Sequence, residues 1–322
     1  MTALTSIEMC AGAGGQALGL EQAGFAHQAL VEIDAEACAT LRENRPGWDV
    51  IHADIKSDQV MRRAETEWRG VDLLAGGVPC PPFSLAGKQL GEDDERDLFP
   101  AMLELARRSQ PRAILIENVR GLLSPRFAPY RQRIGEALSD MGFQVMGWKL
   151  HNASDFGVPQ LRPRVAMIAL RPEVAEHFSW PEPSGKPPKT VGRALYGEIA
   201  SCDWAGAEEW RERANRIAPT LVGGSKKHGG PDLGPTRAKA QWRLLGVNAG
   251  SIAEGPPSPD FAGDPRLTVR MAAIVQGFPE EWEFVGKKTQ QYRQVGNAFP
   301  PPVARALGKS IAKALRAADA AK

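Results

Sequence analysis

Apolar positions along the first half of the chain follow two alternating rhythms. Short unbroken apolar runs, as in strands buried on both faces, alternate with stretches in which apolar residues return every third or fourth position. The first run, Ser6 to Cys10, leads into Ala11-Gly12-Ala13-Gly14-Gly15, after which Ala17, Leu18, Leu20 and Ala23 mark one helix face that stops at Gly24. Further strands are expected over His27 to Ile33, Trp48 to Ile51, Val71 to Ala75 and Ala113 to Ile116, with helices over Ala35 to Asn44 and Leu98 to Arg108. A helix over Tyr130 to Met141 precedes two more strand-like runs, Phe143 to Leu150 and Val165 to Leu170. Repeated strand–helix units of this kind predict an α/β fold with a doubly wound, mostly parallel, Rossmann-like sheet.

From about Trp180 to Pro265 the rhythm fades and prolines, glycines and tryptophans crowd together, which predicts a smaller, irregular domain of loops and short strands. Leu267 to Gly277 regains helical character, and Pro302 to Ala318 reads as a helix returning to the first domain. The expected division is residues 1–178 plus 289–322 for one domain and 179–288 for the other.

Composition adds a few bounds. The 322 residues suffice for a full core, and a net charge of +2 conceals a local excess: from Arg211 to Arg243 eight basic residues face two acids, Glu212 and Asp232. The four cysteines, Cys10, Cys38, Cys80 and Cys202, are scattered with no zinc-type spacing, so free thiols in a reducing compartment and no metal are expected. The amino-terminal residues lack the features of a signal peptide and no apolar run approaches bilayer length, which points to a cytoplasmic protein.

Candidate chemistry centres on Gly76-Gly77-Val78-Pro79-Cys80-Pro81-Pro82-Phe83-Ser84. Glycines and prolines halt the strand and leave Cys80 on a stiff loop at its carboxyl end, where open α/β sheets bind ligands. A buried structural cysteine is the commoner fate of a free thiol, and a reactive one needs charged neighbours. Gly12 and Gly14, with Glu32 at the tip of the second strand, have the logic of a nucleotide-binding turn. That turn does not by itself separate a nicotinamide cofactor from S-adenosylmethionine. Glu117-Asn118 ends a strand, as a carboxylate that could pair with a ring amidine or as a surface cap. Gln160-x-Arg162-x-Arg164, read as extended, places its long polar side chains on one side. Thr220, Ser225-Lys226-Lys227-His228-Gly229-Gly230 and Arg237 combine cations and hydroxyls suited to phosphate contact and base-edge readout, or to a solvated loop.

In order and spacing, these motifs resemble those of the DNA (cytosine-5) methyltransferases: Glu8 to Gly15 and Glu32, Asp54-Ile55, Pro79 to Ser84, Glu117-Asn118-Val119, Gln160-x-Arg162-x-Arg164, Arg266 to Arg270, and Gln294-x-Gly296-Asn297. The resemblance, bacterial type II modification methylases above all, leaves only the Trp180 to Pro265 stretch largely outside it, the place of that family's target-recognition region. It implies that Cys80 is the nucleophile toward C6 of cytosine, with Glu117, Arg162 and Arg164 as the other catalytic residues. It implies an S-adenosylmethionine site on Cys10, Ala11, Gly12, Gly14, Gly15, Glu32, Ile33, Asp54, Ile55, Pro79, Leu98, Asn297 and Ala298. The implied partner is double-stranded DNA with the target base flipped out, contacted through Ser84, Lys88, Arg96, Thr220, Lys226, Lys227, His228 and Arg237. A monomer is implied, serving the same site as a restriction endonuclease without touching it. Cys10 and Ile33 stand where family members often carry aromatics, and Glu8 replaces a usual Asp. Rival readings are a tRNA cytosine-5 methyltransferase, a catalytically silent DNA-binding relative, and a nicotinamide dehydrogenase favoured by the glycine turn alone.

Replacing Lys226 and Lys227 by Ala is expected to weaken DNA affinity and flatten its dependence on salt, as measured by filter binding across a salt series. Unchanged affinity at low salt would remove those lysines from the interface.

Overall fold

The computed structural model describes residues 3–79, 97–224, 230 and 232–321. The amino-terminal half alternates β1 (Leu4–Met9), α1 (Gly15–Gln22), β2 (Phe25–Glu32), α2 (Ala35–Asn44), β3 (Val50–His52), α3 (Asp58–Thr66), β4 (Leu73–Gly76), α4 (Phe99–Ser109) and β5 (Ala113–Val119). After α5 (Ala128–Asp140), the antiparallel strands β6 (Gln144–Asn152) and β7 (Pro163–Leu170) complete a seven-stranded sheet of order β3-β2-β1-β4-β5-β7-β6. The other neighbours are parallel, so the expected mostly parallel, doubly wound sheet is observed. Its strand order reverses direction between β1 and β4, whose carboxyl ends therefore flank the crevice where such sheets bind ligands.

Both sheet faces are dry, which explains the unbroken apolar runs. Ile7, Met9, Leu74 and Ile116 pack beneath Trp68 and residues of α3 to α5. Leu4, Leu73, Leu115 and Ile168 pack beneath α1 and the carboxyl-terminal helix α12, for which α6 (Pro172–Ala175), α7 (Val191–Ala200), α8 (Ala207–Arg213), α9 (Thr236–Leu244), α10 (Val269–Gln276) and α11 (Lys288–Asn297) intervene before Pro301–Ala320.

One helix was not anticipated, and one expectation needs correction. Helix α3 lacks a broad apolar face: only Val60 and Ala64 are buried, and the rest of its length is charged or polar. Ser57 starts it by accepting from the Val60 amide, and the Trp68 ring beyond its end supplies the anchor. The stretch expected as loops and short strands is mostly loop among its described residues, but its regular elements are the helices α7, α8 and α9 rather than strands, apart from one isolated bridge between Gln160 and Ala218. Its helices are seven to ten residues long, too short to repeat a period, and tryptophans hold them together. Trp210 and Trp242 join one core with Leu195, Met271 and Val295, a core that reaches Ala13 and Leu18 beside the glycine turn. Caps define the ends, with Thr190 starting α7, Thr268 starting α10 and a left-handed Gly277 closing α10.

The glycine turn is held from behind by close contact of α1 with α12. A Cβ on Gly19 would lie 2.5 Å from the Ala304 Cβ and 2.5 Å from the Pro301 carbonyl oxygen. Gly19→Val is expected to cost about 2–3 kcal/mol through overpacking against backbone. In urea unfolding the midpoint should fall while the slope stays constant.

Candidate active site

The ends of β1 to β5 open on a cavity of about 620 Å³, a size suited to a ligand somewhat larger than a nucleoside. Across it the strand ends contribute, in spatial order, Asp54 and Ile55 after β3, Glu32 and Ile33 at β2, Glu8 and Cys10 at β1, Gly77 and Pro79 after β4, and Glu117 on β5.

Glu32 organises one side. Its Oε2 accepts from the Gly12 amide at 2.7 Å and its Oε1 from the amides of Ile33 and Asp34, both at 2.8 Å. One carboxylate thus ties the glycine turn of β1 to the end of β2. Oε2, with one donor, keeps acceptor capacity for a ligand hydroxyl. Burial raises the Glu32 pKa and these three donors oppose the rise. Gly12 reaches its bond at φ +54, and a Cβ there would meet no protein atom, so the turn faces open space for a ligand. Gly14 is not in the wall; it caps α1 and lies under Leu41 and Trp282. Ile33 is 64 % exposed and Ile55 is buried, giving apolar surface beside the polar Glu32 and Asp54. Leu98, Asn297, Ala298, Ala11 and Gly15 also line the cavity, as expected.

Cys10 adopts φ +54, unusual for a side chain with a Cβ, as β1 breaks into the turn. Burial, then Glu32, Asp54 and Glu8, push its thiol pKa up. It is therefore a wall residue held protonated.

On the other side, Glu117 Oε1 pairs with Arg164 Nε at 2.9 Å, the arginine projecting from β7 beside β5. Burial raises the Glu117 pKa, against the pull of Arg164 and then Arg162. A carboxyl in this state can lend a proton as well as accept hydrogen bonds. Its neighbour Asn118 donates from Nδ2 to the Val78 carbonyl at 2.9 Å, tethering the segment that leads to Cys80. Cys80, Ser84, Lys88, Arg96, Lys226, Lys227 and His228 lie outside the described residues.

The expected one-sided display of Gln160, Arg162 and Arg164 is not what forms. Amides of Gln160 and Arg162 donate two residues back, to Val158 and Gln160 carbonyls, so the segment is folded rather than extended. Gln160 turns inward to Val275, Gln276 and Leu221. Arg162 is fully buried and spends its guanidinium on the carbonyls of Leu221, Gly296 and Ala298 at 2.8, 2.8 and 3.0 Å. It does not line the cavity; it fastens the 218–224 segment to the end of α11, whose Asn297 and Ala298 do. Only Arg164 reaches Glu117 directly. Of the described residues expected to meet DNA, Arg237 is exposed on α9, and the Thr220 hydroxyl donates to the Leu161 carbonyl.

Two wall residues were not anticipated. Gln16, in the first turn of α1, has neither amide atom partnered among the described residues, and Glu8 Oε2 has no partner there either, though both side chains are buried. A polar residue in the buried strand run and another on a buried helix face were the available signals. Taken together, Glu32 for hydroxyls, apolar Ile33 and Ile55, and orphaned polar atoms at Glu8 and Gln16 fit S-adenosylmethionine. Among the described residues no group of three or more His, Cys, Asp or Glu is placed to hold a metal ion, and no helix is long and apolar enough to cross a membrane.

A family model described as C-5 cytosine-specific DNA methylase matches residues 4–313. The chain is 57% identical over 318 residues to the type II methyltransferase M.NaeI of Lentzea aerocolonigenes, covering 98% of this chain and 76% of that one. It is 53% identical over 314 residues to the type II methyltransferase M.NgoMIV of Neisseria gonorrhoeae, covering 97% and 98%. Its fold is similar to that of the Entamoeba histolytica methyltransferase EhMeth, with TM-score 0.67 at 16% identity over 97% of this chain and 98% of that one.

Arg162→Leu would strip donors from three buried carbonyls. At about 1 kcal/mol for each lost bond, a loss near ~3 kcal/mol is expected in urea unfolding. Loss of catalysis at undiminished stability would instead place Arg162 among the groups that touch substrate.

Proposed function

The chain belongs to the C-5 cytosine-specific DNA methylase family and is a DNA cytosine-5 methyltransferase, and from that premise we propose that it is the modification arm of a restriction-modification pair, acting on a cytosine swung out of the duplex at a specific site. The observation that carries this reading is that Glu117, paired with Arg164, opens on the same cavity as Glu32. A base held at Glu117 and a nucleoside held at Glu32 then share one space.

C5 of cytosine is a weak nucleophile, and the chain's own groups raise its electron density. Attack of the Cys80 thiolate on C6 forms an S–C bond and drives the ring electrons toward N3, where the raised carboxyl of Glu117 supplies a proton. Arg164, which orients Glu117, also holds the base at O2. Both interactions strengthen as the ring gains charge. S-adenosylmethionine, held by Glu32, the glycine turn, Asp54 and Asn297, supplies an electrophilic methyl group. Loss of the C5 proton to water and expulsion of the Cys80 thiolate restore the ring. N3 returns its proton.

Residues 179–288 serve as the target-recognition region in this reading, with Thr220, Lys226, Lys227, His228 and Arg237 toward DNA and Ser84, Lys88 and Arg96 near the gap left by the flipped base. Phosphate contacts position the duplex and base-edge contacts specify it. The enzyme works as a monomer in the cytoplasm, beside an endonuclease that reads the same site without touching it. The names of M.NaeI and M.NgoMIV as type II methyltransferases support the pairing.

Incubating the protein with unmethylated plasmid and S-adenosylmethionine, then mapping 5-methylcytosine by conversion sequencing, should reveal one short recurring site; methylation scattered without a site would defeat the reading. Cys80→Ala should abolish transfer of labelled methyl groups and retain DNA binding in a gel-shift assay. Residual transfer equal to the unaltered enzyme's would dismiss Cys80 as the nucleophile.

A further inference from the structure

Helix α9 (Thr236–Leu244) has two unlike faces. Trp242 turns into the core and is fully buried, while Arg237, Ala240, Gln241 and Leu244, spaced at i, i+3, i+4 and i+7, form one exposed stripe. Leu244 is 68% exposed, more than any other large apolar side chain among the described residues. The side chains of Arg237, Gln241 and Arg243 have no hydrogen-bonding or ionic partner among the described residues. From Leu233 to Ala253 the chain carries Arg237, Lys239 and Arg243 and no acid. This face suits a partner that is negatively charged yet offers apolar edges between its charges.

Beside the stripe lies a cavity of about 480 Å³, lined by Lys239 and Arg243 of α9 and by Asn248, Gly250, Gly263 and Asp264. Asp264 is taken by Arg213 at 2.7 Å and Lys239 by Asp232 at 2.8 Å, which leaves the Arg243 guanidinium as the uncompensated charge. An anion with several acceptor oxygens fits it. The helix also stands next to the first cavity. A Cβ on Gly234 would lie 3.1 Å from Val222 and 3.4 Å from Ala238 in the first turn of α9. Val222 belongs to the 218–224 segment that Arg162 fastens to the end of α11, where Asn297 Nδ2 donates to the Gly224 carbonyl at 3.1 Å. A duplex that delivers a base to Glu117 therefore passes beside α9.

We propose, resting on the DNA methyltransferase reading above, that α9 is a recognition helix that lies in the major groove of the target site. Its nine residues make a helix about 14 Å long and about 10–12 Å across, which fits a groove about 12 Å wide over roughly four base pairs. Gln241 presents a donor and an acceptor in one plane to a base edge, and Leu244 with Ala240 presents apolar surface to the C5 edge of a pyrimidine. Arg237, beside Gln241, supplies donors of the kind that guanine accepts at O6 and N7. Arg243, with Asn248 across the flanking cavity, holds a phosphate and positions the helix without reading sequence. Gln241 and Leu244 are then specificity residues of the methylation reaction.

The test separates preference from affinity. Plasmid methylation by the Gln241→Ala and Leu244→Ala enzymes, mapped by conversion sequencing, gives the ratio of methylation at sites one base pair away from the preferred sequence to methylation at that sequence. This ratio does not depend on how much of the enzyme is folded. Each variant should raise it at least tenfold at one or two adjacent positions of the site. Arg243→Ala should keep the ratio within twofold, weaken binding to every sequence, and lower the slope of log Kd against log salt by about one. Unchanged ratios in both Gln241→Ala and Leu244→Ala, with or without a uniform loss at all sites, would overturn the recognition helix while the methyltransferase reading stands. In sedimentation without DNA the unaltered protein should run as a monomer; a dimer that Leu244→Glu disperses, with the ratios unchanged, would give this face to a second copy and overturn the proposal. Failure of the unaltered protein to methylate any recurring site would overturn both.

Discussion

A single buried cation holds the two halves of the molecule in register. The buried Arg162 guanidinium donates from Nη1 and Nη2 to carbonyls of the 218–224 segment and of the end of α11, while its Nε has no partner among the described residues. Burial lowers its pKa well below the ordinary value, with Arg164 acting in the same direction and Glu117 against it. Guanidinium does not give up its proton in proteins, so the charge has to be met by fixed dipoles. Gln160 and Gln276 extend the same network, Gln160 accepting from the Leu221 amide and Gln276 donating to the Ala298 carbonyl. The 218–224 segment and the wall that holds Asn297 are consequently tied to one another through Arg162. A buried network of this kind specifies a geometry more than it adds stability.

The cavity itself is an electrostatic compromise. Glu8, Glu32 and Glu117 face one space, and burial raises the pKa of all three, with the charge of Glu32 adding to the rise at Glu8. Their partners differ. Glu32 is met by three amides, Glu117 by an arginine, and Glu8 Oε2 by nothing among the described residues. Similar side chains in one cavity thus meet different environments, the condition under which neighbouring carboxyls can take different tasks.

Much of this arrangement was legible because strand ends carry their chemistry in short local runs. Gly12, Glu32, Asp54, Pro79 and Glu117 stand around one cavity, and each follows or ends a strand visible as apolar rhythm. What stayed hidden was decided by tertiary contact. The alternating spacing of Gln160, Arg162 and Arg164 said nothing of two tight turns that send the first two inward. Gly14 has the fingerprint spacing, yet serves packing against Trp282, more than two hundred residues away. Helix α3 and helices α7 to α9 are short or thinly apolar, and neighbouring tryptophans stabilise them more than their own periodicity does. Gln16 reads as an ordinary helix residue until α12 and the sheet are known to cover that helix.

In the proposed reading Cys10, which lines the cavity, shares it with the methyl donor, and a sulfur atom there would meet an alkylating agent at every turnover. Only a thiolate is a competent acceptor. Burial and three surrounding carboxylates hold Cys10 in the neutral form. In that reading the acids that shape the donor site also favour chemoselectivity, keeping the sulfur beside the reagent in its unreactive form.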